Sequence, residues 1–230
     1  MMNTYQLSIE NNHLMISENG VKMLVDTGSP FTIARSGELS LMGDVHPVSQ
    51  SLPMVGDVDS LCRLAELEFD CLLGLDVLSQ YCMCIDMQGG TLTLSDEPIA
   101  LDGGTTVALR GGGMYAQIAL TIGGKQVNTV IDTGAPTAYV HHDISAGLAS
   151  EGEREDFNPM LGGRFTTPIF SLDAEVAGLP FALKAGNLSS LESMMAMMGF
   201  TCVVGADLLK AFTVVFDFKN RQFILRPSQQ

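Results

Sequence analysis

"VDTGSP" at residues 25–30 and "IDTGAP" at residues 131–136 carry the fold of this chain. Each closes a largely apolar, strand-forming run, 23–25 and 129–131, with one aspartate on a tight Thr-Gly bend. A carboxylate at the end of a buried strand is poorly solvated, so its charge needs support. The bend can supply it, because glycine lets backbone approach closely and the amide N–H groups around the turn point at the carboxylate.

The bend recurs because half the chain recurs. Asp132 lies 106 residues after Asp26, and the same offset carries Pro53, Met54 and Gly56 of "LPMVG" onto Pro159, Met160 and Gly162 of "NPMLG". A second pair, residues 72–95 and 203–226, aligns without gaps at an offset of 131 and matches Gly74 with Gly205, Asp76 with Asp207, Leu78 with Leu209, Asp86 with Asp217 and Leu94 with Leu225. The change of offset places 25 more residues between Gly162 and Val203 than between their counterparts. This is an internal duplication. It divides the chain into an N-terminal lobe at 1–102, a Gly-rich connection at 103–113 and a C-terminal lobe at 114–230, with the glycines and Pro98 of residues 95–114 preventing a continuous helix there.

Period-two patterning in "QLSIE", "AQIALTI", "CMCID" and "QFILR" predicts a mostly β protein, with tight turns at Asn19-Gly20 and at residues 123–125. Short helices are expected after each Gly-x-Asp-x-Leu, with Asp76 and Asp207 as helix-start caps and Asp86 and Asp217 structural at strand ends. "SSLESMMAMMG" predicts a longer helix, with capping-box spacing at Ser189 and Glu192 and a stop at Gly199; its methionines suit adaptable core packing. "YVHHD", residues 139–143, resembles a metal motif, but neighbouring histidines on a strand would face opposite ways, so no metal site is expected.

Composition narrows the function. With 230 residues, 46% hydrophobic and 17% charged, the chain can bury one or two cores. A net charge of −14 without a basic cluster repels a phosphate backbone, so nucleic acid is not expected as a partner. The first twenty residues lack the basic-then-apolar order of an export signal, and the most apolar later segment contains Asp207 and Lys210. A soluble, cytoplasmic protein away from membranes is expected. Five cysteines without a Cys-x-x-Cys pair argue against disulfides and zinc, and no Gly-x-Ser-x-Gly or Cys/His pattern offers a nucleophile. His13 and His46 have no partner in sequence. Sugar kinases and actin-like ATPases also use paired Asp-x-Gly turns, but need a longer chain, a nucleotide-binding half and more helix.

If the two lobes pack about a pseudo-twofold axis, both turns meet on it. Two carboxylates in contact cannot both ionise cheaply, so they share one proton and offer an acid and a base together. At these residues the chain resembles the retropepsin and pepsin-like aspartic peptidases: two Asp-Thr-Gly turns, each followed later by an apolar-apolar-Gly segment, "LLG" and "VVG". The resemblance runs over residues 5–95 and 114–226, each like one retropepsin subunit, and implies two pseudo-twofold-related acid-protease β-barrel lobes with a cleft between them.

Carried over, it implies Asp26 and Asp132 as the catalytic pair holding a water, Thr27 and Thr133 as interlocked threonines, and Gly28 and Gly134 as turn glycines. Gly74 and Gly205 match the segments over which the loops are threaded. Ser29 and Ala135 stand where a hydroxyl can support the carboxylate; only Ser29 has one, so Asp132 is expected to protonate more readily. Pro53, Met54, Val55 and Gly56, and Pro159, Met160, Leu161, Gly162 and Gly163, fall where flap tips would come, the second set looking the more flap-like. Pro30 and Pro136 remove a backbone donor from each turn. The implied activity is endopeptidase cleavage of a peptide or protein substrate by a monomer without cofactor. A peptide-binding module on the same scaffold is the alternative.

Overall fold

The computed structural model describes residues 1–111, 114–161 and 163–228. The chain is mostly β, and its helices, all short, sit at the ends of strands. In each half a hairpin leads into the aspartate. Strands His13–Glu18 and Val21–Val25 join at Asn19 and Gly20, with φ of 52° and 81°. Gln117–Ile122 and Lys125–Ile131 join at Gly123 and Gly124, with φ of 57° and 76°. Positive φ at both central residues gives the two-residue turn whose twist matches the strands.

In each half the strand that ends at the aspartate then gains a parallel neighbour. Residues 23–25 pair with Cys71–Leu73, and residues 129–131 with Cys202–Val204. The first pair belongs to a five-stranded sheet drawn from residues 8–73, the second to a seven-stranded sheet drawn from residues 117–204. A third sheet takes strands from both halves, in the order Met2–Gln6, Thr91–Ser95, Cys82–Asp86, Phe212–Asp217, Gln222–Pro227, Thr105–Ala108. Its central pair is antiparallel and joins the halves. Met83, Leu92, Phe216, Phe223 and Leu225 on this sheet are fully buried, and one apolar core runs from Tyr5 to Leu225 through both halves.

Helix α1, Val58–Ala65, was not anticipated from sequence. Asp57 caps it by accepting a hydrogen bond from the Ser60 N–H at 2.9 Å, and Val58, Leu61, Cys62 and Ala65 form its buried face. Short helices form at the two Gly-x-Asp-x-Leu segments but begin inside them, directly after the glycine: α2 is Leu75–Leu78 and α5 is Ala206–Ala211. The N-cap of each is the glycine, although Asp76 also accepts from the first-turn Val77 N–H at 2.9 Å. Asp76 accepts from the N–H and hydroxyl of Thr32 at 2.8 and 2.6 Å, and Asp207 accepts from the Lys184 N–H at 2.8 Å, so each carboxylate ties its helix to another strand. Asp86 and Asp217 hold turns, through the N–H groups of Gly89 and Asn220, both at 2.9 Å.

Helix α3, His142–Ser145, follows strand Ala138–Val140, and α4 spans Ser189–Met197. The expected capping box is absent: Leu188 is the N-cap of α4, and Glu192 is drawn instead to His142. The helix does stop at Gly199, whose φ is +81°. Segment 103–113, expected to be a simple connection, contributes strand Thr105–Ala108 to the shared sheet; Gly112 and Gly113 lie outside the described residues. All five cysteines are free thiols, and no helix among the described residues is long and apolar enough to cross a membrane.

Candidate active site

The two aspartates are placed by the same two backbone contacts. The Asp26 N–H donates to the Leu73 carbonyl at 3.0 Å and the Asp132 N–H to the Val204 carbonyl at 2.8 Å, which extends each parallel ladder by one rung. Beyond the bend, the Leu75 N–H donates to the Ser29 carbonyl at 2.9 Å and the Ala206 N–H to the Ala135 carbonyl at 3.3 Å. Each bend is thus clamped by an apolar-apolar-Gly segment. A side chain at the glycine of that segment would not fit: a Cβ on Gly74 would lie 2.5 Å from the Phe31 carbonyl, and one on Gly205 would overlap the carbonyls of Asp132 and Ala135.

The bends then grip each other. The Thr27 N–H donates to the Thr133 hydroxyl at 2.9 Å and the Thr133 N–H to the Thr27 hydroxyl at 3.0 Å. Each hydroxyl passes its own proton to the opposite strand, Thr27 to the Ile131 carbonyl at 2.7 Å and Thr133 to the Val25 carbonyl at 2.8 Å. Both threonines are buried, and every donor and acceptor in this knot is matched. The grip forces Asp26 and Asp132 together, each against the other's glycine: a Cβ on Gly134 would stand 2.7 Å from Cγ of Asp26, and one on Gly28 would overlap the Asp132 carboxyl.

The carboxylates are not supported alike. Oδ1 of Asp26 accepts the N–H groups of Gly28 and Ser29 at 2.8 and 3.0 Å, whereas Oδ1 of Asp132 accepts that of Gly134 at 2.9 Å. The Ser29 hydroxyl, expected to support Asp26, donates to the Phe31 carbonyl at 2.8 Å instead. The asymmetry lies in how well the backbone bonds are made, since the Ala135 N–H also favours charge on Asp132 without reaching it in a full hydrogen bond. Burial raises both carboxyl pKa values, and the Asp26 charge beside it, with the hydrogen bond between them, pushes Asp132 well above the usual range.

Above the pair lies a cleft of about 410 Å³ walled by apolar side chains of both halves. Phe31, Phe69 and Leu72 come from the first half, and Tyr115, Met195 and Phe200 from the second. Met194, Met195 and Met198 of the α4 segment line it while packing with Val130, Tyr139, Leu191 and Phe200, so the methionines expected as core also form a cleft wall. Proline residues 30 and 136 line it too.

The two candidate flap segments differ in form. Residues 53–55 turn between the two-residue strands Ser51–Leu52 and Gly56–Asp57, and Met54, with φ of 67°, is exposed. In the second half, Gly152–Asn158 pairs over its whole length with Gly163–Val176 to give a long hairpin, with Pro159–Leu161 as a 3₁₀ turn at its tip. Gly162 lies outside the described residues. The hairpin reaches across to the first half. Phe157 packs on the cluster that contains Leu61 and Phe69, and Arg164 donates to the Leu64 carbonyl at 3.2 Å and to Glu66 at 2.9 Å, just past the end of α1.

His13 is a cleft residue that the sequence offered no means of finding. It is 3% exposed, its ring centroid stands 6.0 Å from that of Phe157, and Nδ1 has no hydrogen-bond partner among the described residues. Burial lowers its pKa, against the pull of the Asp26 charge and of the Gly134 carbonyl, which favour the imidazolium. Asp156 is a second such residue: buried at the cleft, it accepts from the Tyr139 hydroxyl at 2.6 Å and from the Phe157 N–H at 2.8 Å.

No protein-family model matches the chain, and no curated protein matches it. Among solved structures, the solution structure of the simian foamy virus (mac) protease is similar at a TM-score of 0.31 and 12% identity, over 40% of this chain and 90% of that one.

Proposed function

We propose that the chain is an aspartic endopeptidase of two related lobes, 1–102 and 114–230 joined through 103–113, that hydrolyses peptide bonds with a water held between Asp26 and Asp132. The observation that carries this is the reciprocal placement of the two carboxyls, each against the other's turn glycine, at the floor of an apolar cleft. The shared sheet supports the duplication behind it. Cys84 faces Val215, its own counterpart at the offset of 131, and Met83 facing Phe216 is repeated as Ile85 facing Val214. A twofold axis through that pair accounts for the register.

In this mechanism Asp132 holds the proton and Asp26, with two N–H donors on Oδ1, holds the charge. Asp26 removes a proton from the water as its oxygen bonds the peptide carbon, and Asp132 gives its proton to the carbonyl oxygen. The tetrahedral intermediate collapses when the proton on Asp26 passes to the leaving nitrogen and the C–N bond breaks. Asp132 recovers its proton from the hydroxyl that becomes the product's C=O. The substrate lies extended, with apolar side chains against the cleft walls.

Incubation with a diverse peptide set from acid to neutral pH, read by mass spectrometry, tests this. Cleavage is expected, and Asp26→Asn and Asp132→Asn should each reduce it by about 10²-fold or more. Cleavage that survives either substitution refutes the shared pair, and intact peptides that nonetheless bind identify a peptide-binding module.

A further inference from the structure

Away from the cleft floor, His141, His142 and Glu192 bring their ligand atoms within 4.8 Å of one another. The strand that should have turned the histidines apart ends at Val140; His141 is the N-cap of α3 and His142 its first residue. Their rings therefore lie side by side, with centroids 4.3 Å apart and planes at 33°. A carboxylate stands on each edge of this stack. On one edge, Oε2 of Glu192 is 2.8 Å from Nδ1 of His142 and 4.0 Å from Nε2 of His141. On the other, the two oxygens of Asp143 face the remaining nitrogens, Nδ1 of His141 at 3.4 Å and Nε2 of His142 at 3.2 Å.

We infer that His141 Nε2, His142 Nδ1 and the Glu192 carboxylate form a binding site for a divalent cation of the zinc class, with Asp143 orienting both imidazoles from behind. Zinc binds nitrogen and carboxylate oxygen at about 2.0–2.2 Å, which sets tetrahedral donors about 3.3 Å apart, and the 2.8 and 4.0 Å separations bracket that spacing. Metal-bound histidines give their other N–H to a carboxylate or carbonyl, and Asp143 offers one oxygen to each ring. His141 Nδ1, which accepts from the Asp143 N–H at 3.3 Å, becomes a donor to the Asp143 carboxylate once Nε2 takes the cation. Two neutral nitrogens and one carboxylate fit zinc, nickel or copper better than magnesium or calcium, which prefer oxygen. Three protein ligands leave one position for water.

The cation would join α3 to α4. Because Leu191, Met194 and Met195 of α4 line the cleft, the clamp fixes one cleft wall, whatever chemistry the cleft performs. The site stands or falls independently of peptide hydrolysis.

Chelator-treated protein without a histidine tag, titrated with Zn²⁺ in a calorimeter and with Co²⁺ by visible absorption, tests this. One saturable equivalent, a tetrahedral-type Co²⁺ spectrum and a Zn²⁺-dependent rise in the unfolding temperature are expected. Glu192→Gln and His142→Ala should each weaken binding by more than tenfold, Asp143→Asn by about 10–100-fold, and Asp26→Asn should leave it unchanged. Circular dichroism confirms that each variant is folded. No saturable binding, or binding that both Glu192→Gln and His142→Ala leave intact, overturns the site.

Discussion

At the scale of single residues, the paired carboxyls carry a thermodynamic signature that needs no substrate. The pKa of Asp132 in the folded chain is raised well above 3.8, mainly by burial and the neighbouring Asp26 charge. Between those two values the unfolded chain has released the proton that the folded chain still holds, so stability falls as pH rises through that window. Asparagine has no proton to lose. Asp132→Asn should therefore unfold at a higher temperature than the parent near neutral pH, with the gain shrinking toward zero as pH approaches 3.8. A pH-independent difference in unfolding temperature, or a less stable variant at neutral pH, contradicts this. Asp26, Asp132 and the two threonines were legible because a bend and its carboxylate are local in sequence. The Ser29 hydroxyl was not, since its choice between Asp26 and the Phe31 carbonyl is settled by backbone direction. His13 reaches the site from another strand, which no local pattern encodes.

At the scale of elements, the long hairpin of 152–176 is held down by Arg164, which joins Glu155 on its own hairpin to Glu66 and the Leu64 carbonyl beyond the cleft. These are exposed groups, so the latch can fasten the hairpin without contributing much to global stability. Arg164→Ala should speed amide hydrogen exchange in residues 152–165 several-fold while exchange in the shared sheet stays unchanged. Equal exchange in both proteins would mean that Phe157 alone holds the hairpin. The alternating stretches at 116–122, 82–86 and 222–226 each form one strand and the Asn-Gly and Gly-Gly pairs form tight turns, whereas the alternation at 6–10 is broken at Leu7 between Met2–Gln6 and Ser8–Glu10. Helix α1 is marked by Asp57 and the spacing Val58, Leu61, Cys62, Ala65, but at the offset of 106 its positions fall in strand Gly163–Val176, so the repeat carried no sign of it. The start of α4 was misjudged because Glu192 found a stronger tertiary partner than its own N-terminus.

At the scale of the whole molecule, the halves are joined twice, by the sheet that takes strands Met2–Gln6, Cys82–Asp86 and Thr91–Ser95 from the first half and Phe212–Asp217 and Gln222–Pro227 from the second, with Thr105–Ala108 from the connection, and by the threonine knot. Neither half can unfold without breaking both seams, so a single cooperative transition is expected in denaturant. Thr27→Val removes the partner of the Thr133 N–H and of the Ile131 carbonyl in one step. Each buried group left unpaired costs about 1–3 kcal/mol. The midpoint should therefore drop with the slope unchanged, and probes placed in the two halves should report the same transition. Transitions that separate in the variant would show the halves to be independent. The matching placement of the two bends was legible from two aligned segments, but the shared sheet was not, because strand 105–108 lies in a Gly-rich stretch without alternation.

The unequal hairpins give the molecule a heading. A twofold site on its own treats an extended chain and the same chain reversed alike. Here the second half lines the cleft with a long, latched hairpin, while the first half gives it only a two-residue ribbon and a helix. Under the proposed function, the amino and carboxyl sides of a bound peptide meet different walls, so the enzyme reads its substrate in one direction only.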